Sequence, residues 1–410
     1  MEIREEKGRD IAQRFNITRQ GNLYLVPSQS GSGKYKVDAE AQRCSCPDFE
    51  IRQAKCKHIY AVETTIRREK KTVIENGKVT ITETETVKIK RKTYKQEWPA
   101  YNKAQTMEKA QFQYLLHQLC QGIGSPAQHG AGRRFMPLED MIFAAAFKVY
   151  STVSCRRFMS DLRDAHGKGY ISKLPCYNSI FNYFESKMLT PYLQMLIEES
   201  ALPLQSIERD FAVDSSGFTT SRFVQWMHAK YTDPHLIERR QWVKVHLMCG
   251  VKTNIVTSVE ISDQWGGDSP YFKPLVEATA ANFVMNEVSA DKAYLSSGNL
   301  KTVVDNNAMP YIPFKANSVT NKRGQSALWK QMYHYFSYNT ERFMNHYHKR
   351  SNVETTFSMI KAKFGDGLRS KTKVAQTNEA LLKVLCHNIC CLIQSMYELG
   401  LKPKFYAQVA

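Results

Sequence analysis

The stretch FAVDSSGF, residues 211–218, passes abruptly from apolar residues to small and polar ones. Its first half has the composition of a buried strand, and Asp214 stands where the apolar run stops. The segments 241–262 and 283–297 are also rich in strand-forming residues, and a helical pattern at 269–282 lies between them. An antiparallel meander followed by strand–helix–strand predicts an α/β fold with a mixed sheet flanked by helices.

A second acidic residue occupies an equivalent place in the sequence. Asp291 follows the apolar part of NEVSADKAYLSS, residues 286–297, and precedes a helical segment. Functional side chains of open α/β sheets gather where strands end. Asp214 and Asp291 are therefore candidates to meet at one edge of the sheet.

The stretch YHKRSNVETTFSMIKAKFGDG, residues 347–367, has a lone glutamate among many cations. On a single helix, four polar residues would share a strip about 60° wide: Tyr347, Arg350, Glu354 and Lys361. An apolar stripe beside it would anchor the helix: Val353, Phe357, Ile360 and Phe364. One interpretation of the strip is an ordinary Arg350–Glu354 ion pair on a solvated face. In the other interpretation, Glu354 holds a metal ion together with the two aspartates.

The second interpretation has a definite chemistry. Three carboxylates on three elements suit hard divalent cations such as Mg²⁺ or Mn²⁺, which prefer oxygen ligands. A two-metal site stabilises both the attacking and the leaving oxygen of an in-line phosphoryl displacement. In such a site, Asp214, Asp291 and Glu354 would bind two ions. Arg350 and Lys361 would then meet phosphates on the same helix face.

The composition narrows the class of partner. The chain of 410 residues has 57 Lys and Arg against 39 Asp and Glu, a formal charge of +18, which indicates nucleic acid or an anionic membrane surface. The cations recur in several segments, which favours nucleic acid. The sequence has no run of some 18 apolar residues, so we expect no membrane span. The charged start MEIREEKGRD is not expected to be a secretory signal. Ten cysteines without export indicate a reducing compartment, so we expect a cytoplasmic, nucleoid-associated protein.

Two close pairs of metal-ligand residues stand near the N-terminus, Cys44-x-Cys46 and Cys56-x-His58. Three thiolates and one imidazole complete the tetrahedral set of a structural zinc ion and leave no position for water. The alternative is reduced structural thiols. With two predicted strands before it and a predicted helix after it, the C-x-C…C-x-H pattern resembles the SWIM zinc finger. The resemblance covers about residues 20–70 and implies DNA or protein binding.

We divide the chain into four segments. Residues 1–75 hold the zinc finger, and residues 76–100 hold a basic hairpin or linker that begins at Asn76-Gly77. Residues 101–203 form an all-helical segment with Arg and Lys between its helices. This segment fits either a helix-turn-helix type DNA-binding unit or a plain packing layer. Residues 204–400 hold the α/β domain.

The spacing Tyr347-x2-Arg350-x3-Glu354-x6-Lys361 resembles the Y-R-E-K pattern of insertion-sequence DDE transposases. The segments AVDSSGF and SADKAYLSS are similar to the first and second acidic motifs of that family. The resemblance covers about residues 130–400 and implies an RNase H-like core with metal-dependent strand cleavage and transfer. It implies that Arg350 and Lys361 contact phosphates of the transposon end and that Tyr347 positions that strand.

The resemblance carries further expectations. Some members of the family stack a flipped base on an aromatic residue that lies between the last strand and the glutamate helix. Trp329 is therefore a candidate DNA contact, although a core or lid tryptophan is the plainer interpretation. The segment 316–340 is too short for a large inserted β-domain. The pairing of two transposon ends implies a homodimer on DNA. The N-terminal zinc finger is not part of the common pattern of the family. The sequence leaves open whether this finger binds terminal repeats, target DNA or a protein.

The leading hypothesis is a DNA transposase that binds transposon ends, cleaves them and joins them to target DNA. One alternative is a transposase-derived DNA-binding regulator without catalysis, which the complete set of three acids disfavours. The other is an RNase H-like nuclease that only hydrolyses, for which the strip of Arg350 and Lys361 is more than hydrolysis needs.

Other acids and histidines have plainer interpretations. Asp268 precedes SPYF, so we expect a helix N-cap rather than a metal ligand. Three further acids are expected to be surface or capping residues: Asp210, Asp263 and Asp305. Four histidines are expected to be polar or DNA-proximal residues: His228, His246, His346 and His348.

Overall fold

The computed structural model describes residues 3–15, 17–20, 22–28, 33–75, 78–87, 97–124, 136–220, 242–320 and 326–405. The chain forms two compact units, Met1–Gln96 and Glu97–Ala410. Two of the features predicted from sequence, the turn at Asn76-Gly77 and the histidine His228, lie outside the described residues.

The first unit contains a four-stranded antiparallel sheet in the order β1-β2-β3-β4. Its strands are β1 (Thr18–Gln20), β2 (Leu23–Pro27), β3 (Lys34–Asp38) and β4 (Arg43–Cys44). Its helices are α1 (Ile3–Arg14), α2 (Pro47–Arg52) and α3 (Lys57–Thr65). Helices α1 and α3 approach closely at Gly8, where a Cβ would lie 2.5 Å from the Cβ of Tyr60. Glycine at this position therefore lets the two helices pack.

A two-stranded antiparallel hairpin follows, with β5 at Ile66–Glu75 and β6 at Lys78–Val87. The pairing of Glu75 with Lys78 encloses the position where the sequence predicted a hairpin turn. The hairpin begins well before residue 76, so the segment boundary placed there falls between its two strands.

The second unit begins with five helices and continues with the sheet. The helices are α4 (Trp98–Gln121), α5 (Leu138–Ser151), α6 (Cys155–Gly167), α7 (Tyr177–Phe184) and α8 (Leu189–Ala201). The strands are β7 (Asp210–Thr219), β8 (Trp242–Gly250), β9 (Val256–Asp263), β10 (Glu287–Ala290) and β11 (Met309–Tyr311). The remaining helices are α9 (Ser269–Asn282), α10 (Ser297–Asp305), α11 (Ala327–Tyr338), α12 (Thr340–Tyr347), α13 (Ser351–Phe364) and α14 (Lys373–Glu398). One hydrophobic core runs through the first five helices, the sheet and α14.

The five-stranded sheet has the order β11-β10-β7-β8-β9. Strands β7, β8 and β9 are antiparallel neighbours, whereas β10 is parallel to both β7 and β11. The mixed α/β sheet flanked by helices that the sequence predicted is therefore confirmed. The parallel strands β7, β10 and β11 present their carboxyl ends at one edge of the sheet, where functional side chains gather in α/β folds.

Helix α14 is the central helix of this core. The buried amide of Asn388 accepts a hydrogen bond from the N–H of Val256 (2.9 Å) and donates to the carbonyls of Val256 (2.7 Å) and Ile197 (3.1 Å). These bonds tie α14 to β9 and α8. By length and composition α14 could cross a membrane, but 78% of its most apolar stretch is buried inside the fold. Packing in the core therefore accounts for its apolar composition.

The periodicity of the stretch 347–367 suggested one continuous helix, but the structure divides it into separate elements. Helix α12 ends at Tyr347, a 3₁₀ turn occupies His348–Arg350, and α13 begins at Ser351. A 3₁₀ turn advances 120° per residue rather than 100°, so Tyr347 and Glu354 do not share the face of one regular helix. Arg350 nevertheless lies close to both of them. The apolar stripe is confirmed: Val353, Phe357, Ile360 and Phe364 are all buried. Between β11 and α13, the described residues contain no strand, as the short segment predicted.

Candidate active site and metal centre

Four predicted zinc ligands come together in the first unit. Cys44 ends β4, Cys46 precedes α2, and Cys56 and His58 stand at the start of α3. All four are buried, and their ligand atoms lie within 4.8 Å of one another. Nδ1 of His58 is 3.9 Å from the sulfur atoms of both Cys44 and Cys56. Among the described residues, this is the only group of three or more such side chains so closely spaced.

The chemistry of this donor set fits a structural zinc ion. Hydrogen bonding to Cys56 and burial raise the pKa of the Cys44 thiol, and burial raises the pKa of Cys46. Cys56 has the opposite shift, because the hydrogen bond from Cys44 lowers its pKa to about 4. Three neighbouring thiolates are therefore stable together only with a cation between them. Four protein ligands would leave the ion no open position, as structural zinc sites require.

In the second unit, the two predicted catalytic aspartates stand on neighbouring parallel strands. The parallel pairing of β7 with β10 ends at Val213 and Ala290, so Asp214 and Asp291 are the next residues on each strand. The expectation that the strand itself ends near Asp214 is wrong, because β7 continues to Thr219 along β8. Asp214 is instead the first residue of β7 that no longer pairs with β10, while its pairing with β8 continues.

Asp291 ends its strand and begins a turn. It precedes a 3₁₀ turn at Lys292–Tyr294, and its Oδ1 accepts a hydrogen bond from the N–H of Ala293 (3.1 Å). This bond fixes the direction of the carboxylate. The described contacts leave the second oxygen without a hydrogen bond, so it can bind a cation at the sheet edge.

Arg350 joins the first aspartate to the predicted third acid. Its Nη1 lies 2.6 Å from Oδ2 of Asp214, and its Nη2 bonds Oε1 of Glu354. The Arg350 side chain is 16% exposed, whereas that of Glu354 is 57% exposed. The i, i+4 ion pair therefore forms, with Glu354 exposed to solvent and Arg350 turned inward to Asp214. The guanidinium stands between two carboxylates, where it neutralises part of their charge.

The pKa of Asp214 reflects its burial and its charged neighbours. Burial raises the pKa of Asp214, and the neighbouring Glu354 and Asp291 raise it further, while Arg350 lowers it. The hydrogen bond from the N–H of Ser215 also lowers the pKa of Asp214, and burial has the largest effect of all. Glu354, Asp291 and Arg350 therefore all act on the Asp214 carboxylate. Carboxylate oxygens are the ligands that hard divalent cations prefer, but the ligand oxygens of the three acids do not all lie within 4.8 Å of one another, unlike the ligand atoms of the cysteine–histidine group.

The other predicted DNA contacts are positioned as follows. Nζ of Lys361 donates to Oγ of Ser216 (2.7 Å), two residues beyond Asp214, and burial lowers the pKa of this lysine. The ring of Tyr347 is half-buried and lies 6.0 Å from the Arg350 guanidinium. Nε1 of Trp329 donates to the carbonyl of Val319 (3.2 Å), and the indole packs edge-on against Phe314. These two contacts hold the side chain of Trp329 against the fold.

Asp268 is not the N-cap that its sequence context predicted. It precedes α9, but its side chain makes no capping bond. Its Oδ1 instead accepts from Oγ of Ser215 (2.7 Å) and lies 2.6 Å from Nζ of Lys244. These contacts outweigh burial and hold the pKa of Asp268 below its ordinary value. Asp268 is thus linked to the residue that follows Asp214.

Two buried polar residues accompany this cluster. His246 is fully buried and stacked on Tyr271, and burial lowers its pKa to about 4, so it is neutral at physiological pH. Of the two roles predicted for His246, the structure supports that of a buried polar residue, because its Nε2 bonds Oγ of Ser262 (2.9 Å) and the ring is closed to solvent. The hydroxyl of Tyr294 is also buried, and it has no hydrogen-bond partner among the described residues.

We expect Asp268→Asn to slow DNA strand cleavage without weakening DNA binding. Ser215 would lose a charged acceptor next to Asp214, and loss of a group that supports a metal ligand costs roughly 10- to 100-fold in activity. Single-turnover cleavage at saturating DNA measures the effect. Asp263→Asn is the matched control, since this exposed acid only accepts a bond from the N–H of Trp265. Equal cleavage rates in both variants would contradict the role of Asp268.

A second ion network fixes the 3₁₀ turn to the sheet. Lys349 bonds Glu287 and lies 2.8 Å from Asp210, which pairs with Glu287 across β7 and β10. Nδ1 of His346 lies 2.5 Å from the other oxygen of Glu287, and its ring stacks on Tyr311. Burial opposes the charge on Lys349, but the two acids outweigh it and raise its pKa. Asp210 is therefore an ion-pair partner rather than a surface or capping residue.

We expect Lys349→Met to destabilise the second unit by about 1–3 kcal/mol, because buried Glu287 would lose its cation. The shift of the thermal unfolding midpoint measures this loss. Exposed Lys330 on α11 offers a matched control as Lys330→Met. Because Arg350 adjoins Lys349, the variant should also cleave DNA more slowly. An unchanged midpoint would show that the network does not hold the turn.

Two segments of the chain match models of known protein families. Residues 205–389 match the family model described as a transposase DDE domain, and residues 34–66 match that of the SWIM zinc finger. The sequence matches none of the curated proteins with which it was compared. Among solved structures, the chain is similar to a piggyBac transposase in a synaptic complex with hairpin DNA, determined by cryo-EM. The identity is 10% over 72% of this chain and 73% of that chain, with a TM-score of 0.35. The chain thus carries a transposase DDE domain in its second unit and a SWIM zinc finger in its first.

Proposed function

We propose that the protein is a DNA transposase whose Asp214, Asp291 and Glu354 hold two divalent cations, Mg²⁺ or Mn²⁺. The observation that carries this proposal is the placement of Asp214 and Asp291 side by side on parallel strands, with Glu354 joined to Asp214 through Arg350. All three acids lie within the segment that matches the transposase DDE domain.

The carboxylates act as oxygen donors at an open edge of the sheet. Glu354 is largely exposed, so DNA can reach its side of the site. The bound cations would stabilise the charge that develops in an in-line phosphoryl displacement. The same site serves cleavage of a strand and its joining to target DNA, because both reactions displace an oxygen at phosphorus.

Arg350 has two roles in the proposal. Without substrate, it neutralises Asp214 and Glu354. When cations take over that charge compensation, the guanidinium becomes available for a phosphate of the transposon end. Lys361 and Tyr347 would contact the same strand, with Lys361 held toward the sheet by Ser216. Trp329 is the weakest of these contacts, because its indole nitrogen already has a partner.

The partners are transposon terminal repeats and target DNA, and two copies of the chain would pair two DNA ends. The segment 101–203 would contribute to binding, since the cations Arg156, Arg157 and Arg163 of α6 are exposed or partly exposed. The zinc finger would bind DNA or a protein. Because phosphates carry most of the affinity, binding should weaken steeply with salt concentration.

The test is incubation of the protein with its own terminal-repeat DNA, target DNA and Mg²⁺. Joined products support the proposal. Hydrolysis without joining would identify a nuclease, and binding without either reaction would identify a regulator. Asp214→Asn is the control for a contaminating nuclease, because it should bind the same DNA and yield no product.

A further inference from the structure

A cavity of about 340 Å³ lies in the second unit, away from the acids. It is bounded by the end of α5, the start of α6, the helix α7 and the end of α13. Phe364, which lines it, is ten residues beyond Glu354 on α13, a distance of about 15 Å along the helix. The cavity is therefore separate from the catalytic centre, and its volume is in the range of small-ligand sites.

The walls of the cavity are mainly aromatic and apolar. Ile180, Phe184 and Phe364 are buried, whereas Phe181 is 54% exposed. Phe181 thus presents a ring that the fold does not cover. A planar apolar group entering the cavity would find a ring to stack on and apolar side chains beyond it.

The cavity is also lined by two cations that the described residues do not hold in a salt bridge. Lys148 and Arg369 line it, and neither forms a salt bridge with another residue that the structure describes. Glu379 also lines the cavity and offsets part of their charge, but its oxygens accept bonds from the N–H groups of Arg369 (3.0 Å) and Ser370 (2.8 Å) rather than from either cationic side chain. Burial lowers the pKa of Lys148 most, Cys155 and Glu379 partly oppose this shift, and the nearby Arg369 adds to it. An anion would relieve the repulsion between the two cations.

The start of α6 adds to the positive potential. Ser154 precedes this helix of 13 residues and lines the cavity, but its side chain makes no capping bond. The first-turn N–H groups of a helix favour an anion, and here they adjoin Lys148. The anionic part of a ligand would therefore lie at this rim, and the planar part would lie against Phe181.

We propose that this cavity binds a nucleotide, with the base on Phe181 and the phosphate between Lys148, Arg369 and the start of α6. The nucleotide comes from either of two sources, a free nucleotide or an unpaired nucleotide of a DNA strand. The inference goes beyond the proposed catalysis, because none of its residues belongs to the acid cluster.

The test uses the full chain and calorimetric titration with four probes: dAMP, inorganic phosphate, a blunt duplex, and the same duplex with a single-stranded overhang. Phe181→Ala should weaken the affinity for dAMP roughly ten-fold through lost stacking. If the ligand is the DNA strand, the variant should instead reduce by the same factor the increase in duplex affinity that the overhang causes. Tyr114→Ala is the matched control, because Tyr114 is also an exposed aromatic residue and lies on α4, outside the cavity. Binding of dAMP identifies the free nucleotide as the ligand, and an effect confined to the overhang identifies the DNA strand.

Lys148→Met distinguishes a binding role from a structural one. It removes a half-buried cation that the fold does not pair, so the thermal midpoint should stay or rise while nucleotide affinity falls roughly ten-fold. Asp214→Asn should keep nucleotide binding, which separates this inference from the proposed catalysis. The proposal is overturned if Phe181→Ala and Lys148→Met both bind like the wild type. It is also overturned if phosphate alone competes as strongly as dAMP, because the base would then make no contact.

Discussion

Asp291→Asn is expected to abolish strand cleavage and strand joining while DNA binding is retained. Asp291 is held at the sheet edge by the N–H of Ala293, beside Asp214 on the neighbouring strand. The amide would keep the hydrogen bond but lose the negative charge that a divalent cation needs. We expect a loss greater than the roughly 100-fold that removal of a mere supporting group causes. Single-turnover cleavage of terminal-repeat DNA in Mg²⁺ measures it.

Asp305→Asn provides the matched control for this variant. Asp305 is an exposed acid at the end of α10, so its loss changes the net charge equally without touching the site. Both variants should bind the DNA with wild-type affinity. Substantial cleavage by Asp291→Asn would remove this residue from the catalytic set.

The second large effect concerns the zinc finger. Cys56→Ser should lose the zinc ion and unfold the first unit, because Cys56 contributes a buried ligand at the start of α3. Zinc binding contributes about 10–16 kcal/mol in zinc-finger peptides, as much as the whole stability of an ordinary domain. Zinc content falling by one ion per chain and faster proteolysis of residues 3–65 are the measurements.

Cys176→Ser is the control for the loss of a thiol as such, since Cys176 is exposed and remote from the cluster in sequence. Its zinc content and proteolysis should match the wild type. A Cys56→Ser chain that keeps a full complement of zinc would mean that the ion is bound elsewhere.

The sequence predicted best those features whose signals are local. The residue pattern of the segment 269–282 predicts a helix, and α9 occupies the same residues, because Pro270 and the helical periodicity mark its start and extent. The stripe of α13 was predicted for a similar reason, since a buried helix face repeats every three or four residues. The strand meander and the following parallel strands also follow from residue patterns along the chain.

Features decided by distant residues were missed. The 3₁₀ turn at His348–Arg350 brings Lys349 and Arg350 to Asp210 and Asp214, which are 139 and 136 residues away in sequence. No periodicity within the helix can reveal those partners. The N-cap assignment of Asp268 failed for the same reason, because Ser215, its actual partner, is 53 residues away. Local chemistry favoured a cap, and tertiary contacts decided otherwise.

The central claim is that Asp214, Asp291 and Glu354 share divalent cations. Replacing Mg²⁺ by Fe²⁺ in the zinc-loaded protein, with peroxide and ascorbate, would cut the chain at residues close to the bound iron. The account predicts cuts near all three acids, suppressed by excess Mg²⁺ and lost in Asp291→Asn. Cuts that avoid these three positions, or that persist unchanged in Asp291→Asn, would contradict it.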